Sequence, residues 1–382
     1  MQTETRDRYA DIVHTGPDTI GGRYMRSFWQ PIFVSSELPA GRARPIRVMS
    51  ENFTIFRTEQ GVAQVLAPYC PHRGTQLSTG WVEGETLRCF YHGWRFAGSG
   101  QCVEAPAERE GYAASVHIRS YPTREYVGLI FAFLGEGEPP PFPHYSDLED
   151  EGIFDSREYR RNCNFFNNIE NQCDPVHVAF AHSKSAFTRN GLIGVPQVSA
   201  EETEWGLALS AAREGAGVRV TQIGMPNILH IKSSPETPES GWSDLFAWRI
   251  PIDDTHHASF NVHLHRLSGD AAKRYLEART QRGSKLQPSI QDLGDAIRRG
   301  ELHADDVKDH PGIVGIQDEV AQIGQGVIAD RVNERLGRSD VGVVLVRNLW
   351  LRELQALAEG RPTKKWLWSE KLAVTVGARD AN

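Results

Sequence analysis

Residues 70–96 hold two short runs, "CPHRG" and "CFYHGWRF", in which Cys70 and His72 are followed after sixteen intervening residues by Cys89 and His92. Each run ends its ligand-type residues on a glycine, so two β-loops can close on one compact centre. Two thiolates and two imidazoles in that arrangement hold either a tetrahedral zinc ion or a [2Fe-2S] cluster with two cysteines on one iron and two histidines on the other. The aromatic surroundings of His92 favour the cluster, because a structural zinc has no need of them. At 382 residues the chain is long enough for two domains with cores of their own, so a metal need not hold it folded. The motif is expected to serve chemistry.

The rest of the chain divides around a run of prolines. A charged opening, read as helical from Glu4 to Thr15, belongs to an N-terminal segment of residues 1–27. From Phe28, short β-branched and aromatic runs separated by "LPAG" and "TEQG" predict an all-β domain over 28–140, closed by the triple proline that begins at Pro139. Residues 141–382 change character: a helical stretch at 161–187, strands in "GLALSAA", "VRVTQIG", "ILHIKSS", "DLFAWRIPI" and "ASFNVHLHRL", a polar connection, then helices over Pro311–Leu336 and Val341–Leu357. The fold class is α+β, with a long antiparallel sheet in the second domain. Cys102, Cys163 and Cys173 are expected to be buried small apolar residues; five cysteines at irregular spacing do not make a disulfide framework.

The motif "CPHRG…CFYHGWRF" and its β-rich flanks resemble the Rieske domain of Rieske non-haem iron oxygenases, the group of aromatic ring-hydroxylating terminal oxygenases that includes phthalate and phenoxybenzoate dioxygenases and aryl O-demethylases. The resemblance implies that Cys70 and Cys89 bind one iron, that His72 and His92 bind the other, and that the histidines lie at the cluster's outer edge.

A cluster that carries single electrons needs an acceptor, and "IENQCDPVHVAFAH" offers one. Glu170, Asp174 and His177 share a face if the segment is one helix. His182, five residues beyond His177, is rotated by roughly 140° on an ideal helix. Both imidazoles therefore reach one metal only if the helix widens into a π-type turn or ends between them, and Pro175 favours such a disruption. Two histidines and a carboxylate on one face of iron leave positions for dioxygen and substrate. Asp174 is a candidate third ligand by proximity. The resemblance instead implies Asp318, in "GIQDEVAQIGQGVIADR", with Asp330 in reserve, and it frees Asp174 to link His177 to His92 of a neighbouring subunit in a homotrimer, with Glu170 supporting that link.

No flavin, plant-type ferredoxin or dinucleotide-binding segment is present in the sequence, so electrons are expected from NADH through a separate reductase or ferredoxin. The implied reaction activates dioxygen reductively at a mononuclear Fe(II) to hydroxylate an aromatic acid or aryl ether, by dioxygenation or by demethylation, in aromatic catabolism. Candidates for the substrate pocket are Phe165, Phe180, Met225, Ile231 and Trp248 among apolar residues, and Asn227, His230, Arg249, His263 and His265 among polar ones. Alternation puts Asn261, His263 and His265 on one face of their strand. The alternative class is an electron-transfer or zinc-stabilised binding protein without oxygenase activity. A net charge of -7 argues against nucleic acid, no apolar run suits a membrane span, and the polar N-terminus resembles no targeting peptide, so a cytoplasmic protein is expected.

Overall fold

Short strands dominate residues 29–133 of the computed structural model, which describes residues 8–185, 194–215, 217–233, 241–283 and 288–368. Three small antiparallel sheets form there: 29–34 with 129–133 and 123–126; 42–48, 51–57, 63–66 and 120–121; and 81–83, 86–88, 95–97 and 102–104. The last of these, with the loops around residues 70 and 90, encloses a core of its own from Phe56, Leu66, Leu77, Leu87, Trp94, Phe96 and Ile118. At its N-terminal side the chain forms two short helices, Ala10–Val13 and Ile20–Arg26, in place of the single expected helix, whose first residues lie outside the described ones.

Beyond the prolines, seven strands make one antiparallel sheet in the order 153–161, 256–265, 243–253, 228–233, 217–224, 206–213, 197–202. The five strands read from sequence are present. Two edge strands, Ile153–Arg161 and Gln197–Glu202, extend the sheet beyond those five; the first is rich in charged residues and the second is short and polar. In Ile153–Arg161 the alternation is polar: Asp155, Arg157, Tyr159 and Arg161 share one face, on which Asp155 and Arg161 are buried by pairing their charges rather than by apolar contact. The expected polar connection contains two helices, Gly269–Gly283 and Ile290–Arg298, the second N-capped by Ser289. The helix expected to reach Leu336 is Ile313–Gly324; it stops before Gly326, whose φ of +100° no α-helix adopts.

The larger apolar core runs across the proline stretch, joining Trp29, Ile32 and Phe131 to Trp248, Phe260 and Trp350. Phe131 meets the Trp248 ring edge-on at 5.6 Å. The turn at Met49 and Ser50 docks by backbone bonds of 2.7 and 2.9 Å onto Pro251 and Ile252 of the large sheet. The cluster-type loops and the large sheet are thus mechanically connected within one chain.

Against the other face of the sheet lies the helix Phe165–Gln172, whose sequence "FFNNIENQ" is too polar to be buried by hydrophobicity alone. Each polar side chain ties it to a different element. Asn164 caps it and donates to the carbonyls of Val13 and Asp254, Asn167 donates to Gly326, and Asn168 meets His257. Glu170, expected beside Asp174, points the other way and is clamped between Arg331 (2.8 and 2.9 Å) and Arg347 (2.5 Å), all three buried. Removing that carboxylate leaves two buried guanidinium groups short of a partner, so Glu170→Gln is expected to cost about 3 kcal/mol or more. Urea denaturation reads this as a lowered midpoint; an unchanged midpoint would mean that Glu334 alone balances both arginines.

Candidate functional site

The two Cys/His loops are built alike. In each, the cysteine N–H bonds to the carbonyl five residues on (Cys70 to Thr75, 2.8 Å; Cys89 to Trp94, 2.7 Å), and the glycine four residues on returns a bond to the cysteine carbonyl. Gly74 and Gly93 have φ of +72° and +73°, which is why both runs carry glycine there. The loops bring Cys70 and Cys89, both buried, to face each other, and set the His72 and His92 rings 4.4 Å apart. Trp94 stacks on His72 at 4.6 Å, fixing its plane.

Burial and the neighbouring Cys89 sulfur push the Cys70 thiol up to about 12, so a cation is needed to hold it as a thiolate. His72 Nδ1 is buried without a hydrogen-bond partner, turned away from protein acceptors as a metal donor must be. The donor set therefore fits a mixed Cys/His centre. Tyr69, Trp81, Phe90 and Tyr91 stand exposed nearby.

The second motif is not one helix. Phe165–Gln172 ends at Cys173, and a new short helix, His177–Phe180, begins after Pro175. Pro175 removes a backbone donor, while the Asp174 carboxylate accepts from Val176 N at 2.8 Å, closing a turn that starts the chain in a new direction. The short helix ends before His182, so the histidines converge by helix termination and no π turn is present. Their ring centroids are 5.1 Å apart.

Asp318, on the helix Ile313–Gly324, reaches them from more than a hundred residues away. Donor atoms of His177, His182 and Asp318 all lie within 4.8 Å of one another, and Asp318 Oδ1 is 3.4 Å from His182 Nε2. Asp330 is exposed and caps its own turn through Val332 and Asn333. These three side chains could hold an iron ion facially. Burial would raise Asp318, but its contact with His182 and the charge of Arg161 hold it down at about 2, so it is an anion ready for a metal. Burial lowers His177, keeping it neutral.

Three further residues that the sequence reading did not single out complete the site. Asn171 donates to Asp318 Oδ1 at 3.2 Å, Gln317 Oε1 lies 2.9 Å from His182 Nδ1, and Arg161 is bonded to Glu319 at 2.8 Å. The signal for Gln317 was its place beside Asp318; nothing in the sequence marked Arg161, which belongs to the unrecognised edge strand. His177 Nδ1 meets the backbone carbonyl of Asp174, whose carboxylate is 3.9 Å away.

The strand register sorts the pocket candidates. Arg249, Asn261, His263 and His257 share the face under the helix Phe165–Gln172, while Trp248, His230 and Phe260 are on the opposite face. His230 stacks on Phe246 and bonds Asp244, whose charge Lys232 and Arg266 already balance; this buried network, with Asp147 close by, is not part of the iron site. Trp248 and Phe165 are core, and Met225 is buried among the same apolar residues. Asn227 ties Gln30 to the Arg249 carbonyl. His265 is bonded to Tyr275, and His263 to Ser243. Ile231 is partly buried and Phe180 exposed.

Arg249 stands apart. Its Nη1 donates to Asn261 Oδ1 at 2.9 Å, and the Gln172 amide, with its oxygen turned inward, meets Nε and Nη2. Both partners are neutral. Burial pushes the guanidinium down to about 9, Arg161 adds repulsion and Asp318 opposes it.

Residues 28–122 match the Rieske [2Fe-2S] domain. Over 379 residues the chain is 30% identical to the oxygenase subunit of 5,5'-dehydrodivanillate O-demethylase from Sphingobium sp., covering 95% of this chain and 83% of the relative. It is 31% identical to phenoxybenzoate dioxygenase subunit alpha from Ectopseudomonas oleovorans, covering 89% and 83%. The chain belongs to the Rieske non-haem iron oxygenases, as a terminal oxygenase subunit. The terminal oxygenase of carbazole 1,9a-dioxygenase from Novosphingobium sp. KA1 has the same fold, with a TM-score of 0.63 at 20% identity over 95% of this chain and 98% of that one. A Rieske oxygenase carries a [2Fe-2S] cluster and a mononuclear iron and takes electrons from a separate partner, which decides against a zinc-stabilised or purely electron-transferring protein. No helix among the described residues is long and apolar enough to cross a membrane.

His177→Ala, His182→Ala and Asp318→Ala are each expected to lose the mononuclear iron while the visible spectrum of the cluster stays intact. Asp330→Ala should retain it. Iron analysis beside the absorption spectrum checks both, and the reverse pattern would move the third ligand to Asp330.

Proposed function

We propose that this terminal oxygenase acts on an aromatic acid or an aryl ether bearing a carboxylate, with Cys70, His72, Cys89 and His92 holding the cluster and His177, His182 and Asp318 holding the iron. The convergence of those last three side chains carries the reading. When bound, the cluster supplies single electrons and the iron supplies reductive activation of dioxygen.

The chain's own part is binding, orientation and charge. His177 and His182 each have Nδ1 held by a neutral oxygen, which leaves Nε2 of both as the metal-facing atom. Asn171 occupies one side of Asp318 Oδ1 and fixes the carboxylate's plane. Arg249, on the sheet face beneath Gln172, would take the substrate's carboxylate, since a buried guanidinium with only amide partners is costly until an anion joins it. Relatives named for dehydrodivanillate, phenoxybenzoate, 3-chlorobenzoate and phthalate support an aromatic acid. Asn227, Phe165, His230 and Trp248 then act behind the pocket wall rather than on the substrate, while His263 and His265 lie farther along the Arg249 face, bonded to Ser243 and Tyr275.

Asp174 is half-buried beside His177 and has its second carboxylate oxygen free of the turn it caps. In a homotrimer it would accept from His92 of a neighbouring copy, linking the two centres across the interface. A separate reductase or ferredoxin would deliver electrons from NADH at the exposed edge near His72 and His92.

Product analysis under labelled dioxygen, with a reductase and a panel of benzoates, phthalates, phenoxybenzoates and methoxybenzoates, tests the substrate class. Ring label from a dioxygenated acid, or formaldehyde release from a methoxy acid, is expected for at least one acid of the panel, and Arg249→Met should raise its KM by about tenfold or more, the worth of a charge-assisted contact. Uptake elicited only by neutral arenes would sink the acid reading. Co-assembling Cys70→Ser with Asp318→Ala subunits should restore part of the activity that neither has alone; a fully active monomer would rule the trimeric link out.

A further inference from the structure

We propose that Gln317 is the positioning residue for His182: its amide oxygen takes the Nδ1 proton of the imidazole and so turns Nε2 to the metal. This rests on the reading of His182 as an iron ligand and names what holds that ligand in its working orientation.

His182 is only 2% exposed, so its ring nitrogens must find partners inside the protein. It lies beyond the end of the helix His177–Phe180, where no regular backbone pattern fixes a side chain. The partners come from two consecutive residues of another helix. Gln317 Oε1 is 2.9 Å from Nδ1, and Asp318 Oδ1 is 3.4 Å from Nε2. Successive side chains on an α-helix diverge by about 100°, so neighbours such as these can bracket one ring from opposite edges.

The bracket has one protonation pattern compatible with metal binding. A proton on Nδ1, donated to the amide oxygen, leaves the Nε2 lone pair beside Asp318, where both can reach the same ion. Were the amide rotated so that its NH2 faced Nδ1, the proton would sit on Nε2 between the two ligand atoms and block the site. A carboxamide also keeps the acceptor neutral. The His177 ring is treated alike by the Asp174 backbone carbonyl, so both imidazoles bind as neutral donors. Asparagine at 317 would be one methylene too short for this contact, and leucine would fill the space without an acceptor.

The test uses the full chain with its cluster, and variants Gln317→Leu, Gln317→Glu and Gln317→Asn. Fe(II) affinity is measured by competition with a chelator, and ligand order by the EPR line shape of the nitric oxide adduct of the mononuclear iron. Gln317→Leu and Gln317→Asn are expected to weaken Fe(II) binding by about 10- to 100-fold and broaden the line, with the cluster spectrum unchanged. Gln317→Glu, which restores an acceptor at the same reach, should recover most of the affinity and a single line shape. Leucine at wild-type affinity with an unaltered line overturns the proposal, as does a glutamate variant as weak as leucine, which would mean that residue 317 only packs. His182→Ala separates the two claims: if it loses iron while Gln317→Leu does not, the positioning role alone falls, and if it keeps iron, the ligand assignment falls with it.

Discussion

Much of the active centre hangs on the buried ion pair between Arg161 and Glu319. Arg161 sits on an edge strand of the large sheet, and Glu319 follows Asp318 directly, so the pair pins the helix Ile313–Gly324 to the sheet at the turn that carries Gln317 and the candidate ligand Asp318. Tyr159 adds a second bond to the same carboxylate, and Gln322 one to the same guanidinium. With Glu319 turned to the sheet, helix geometry sends Gln317 and Asp318 toward His182. An apolar contact at 319 would resist sliding weakly, whereas a buried, hydrogen-bonded charge pair has one low-energy register. The destabilisation caused by breaking such a pair is severe because the charge left behind has no water to meet.

How much of this was readable from sequence follows from how local each feature is. The Cys/His loops were legible because their chemistry and backbone geometry fit within five residues each, with the glycine at the required left-handed position. The two histidines were legible for the same reason, including the need for a break between them. Asp318 was not derivable from spacing and came only with the family resemblance, since its neighbourhood to His182 is purely tertiary. Glu170 was misjudged on a sound local rule: four residues from Asp174 would mean a shared face, but the helix ends at Cys173 and sends the two acids to different partners. The alternation of Asn261, His263 and His265 was right, yet alternation cannot say which face meets the iron. His230 and Trp248 fell on the far side for that reason. The charged strand Ile153–Arg161 was missed because its buried face is made of ion pairs, which mimic a solvent-exposed segment.

Charge around the iron site is arranged so that the resting protein is nearly balanced and the loaded one is not. Arg161 is matched by Glu319, leaving Arg249 and Asp318 as a cation and an anion that contact consecutive residues, Gln172 and Asn171, at the end of the helix Phe165–Gln172. Fe(II) held there would add two positive charges next to Asp318, an excess that an anionic substrate would remove. Binding of metal and of an acid should thus favour one another, a coupling that neutral substrates would not share.

If the two sites hold their metals as proposed, they use opposite edges of the imidazole ring, which would bear on how electrons pass between them. At the cluster, the buried Nδ1 of His72 has no protein acceptor and is the atom available to iron, so Nε2 is the edge left to face outward. At the candidate mononuclear site, Nδ1 of both histidines is held by protein oxygens, which leaves Nε2 for a metal. Asp174 lies on the Nδ1 side of His177, where a carboxylate can touch a ligand without touching its metal. A link from a cluster histidine through Asp174 to His177 would therefore enter each imidazole at the edge its iron does not use. Such a path would need no displacement of a ligand, only closure of the 3.9 Å between the Asp174 carboxylate and His177 Nδ1. It also requires that another subunit bring its histidine to a carboxylate already fixed in place by the turn at Pro175.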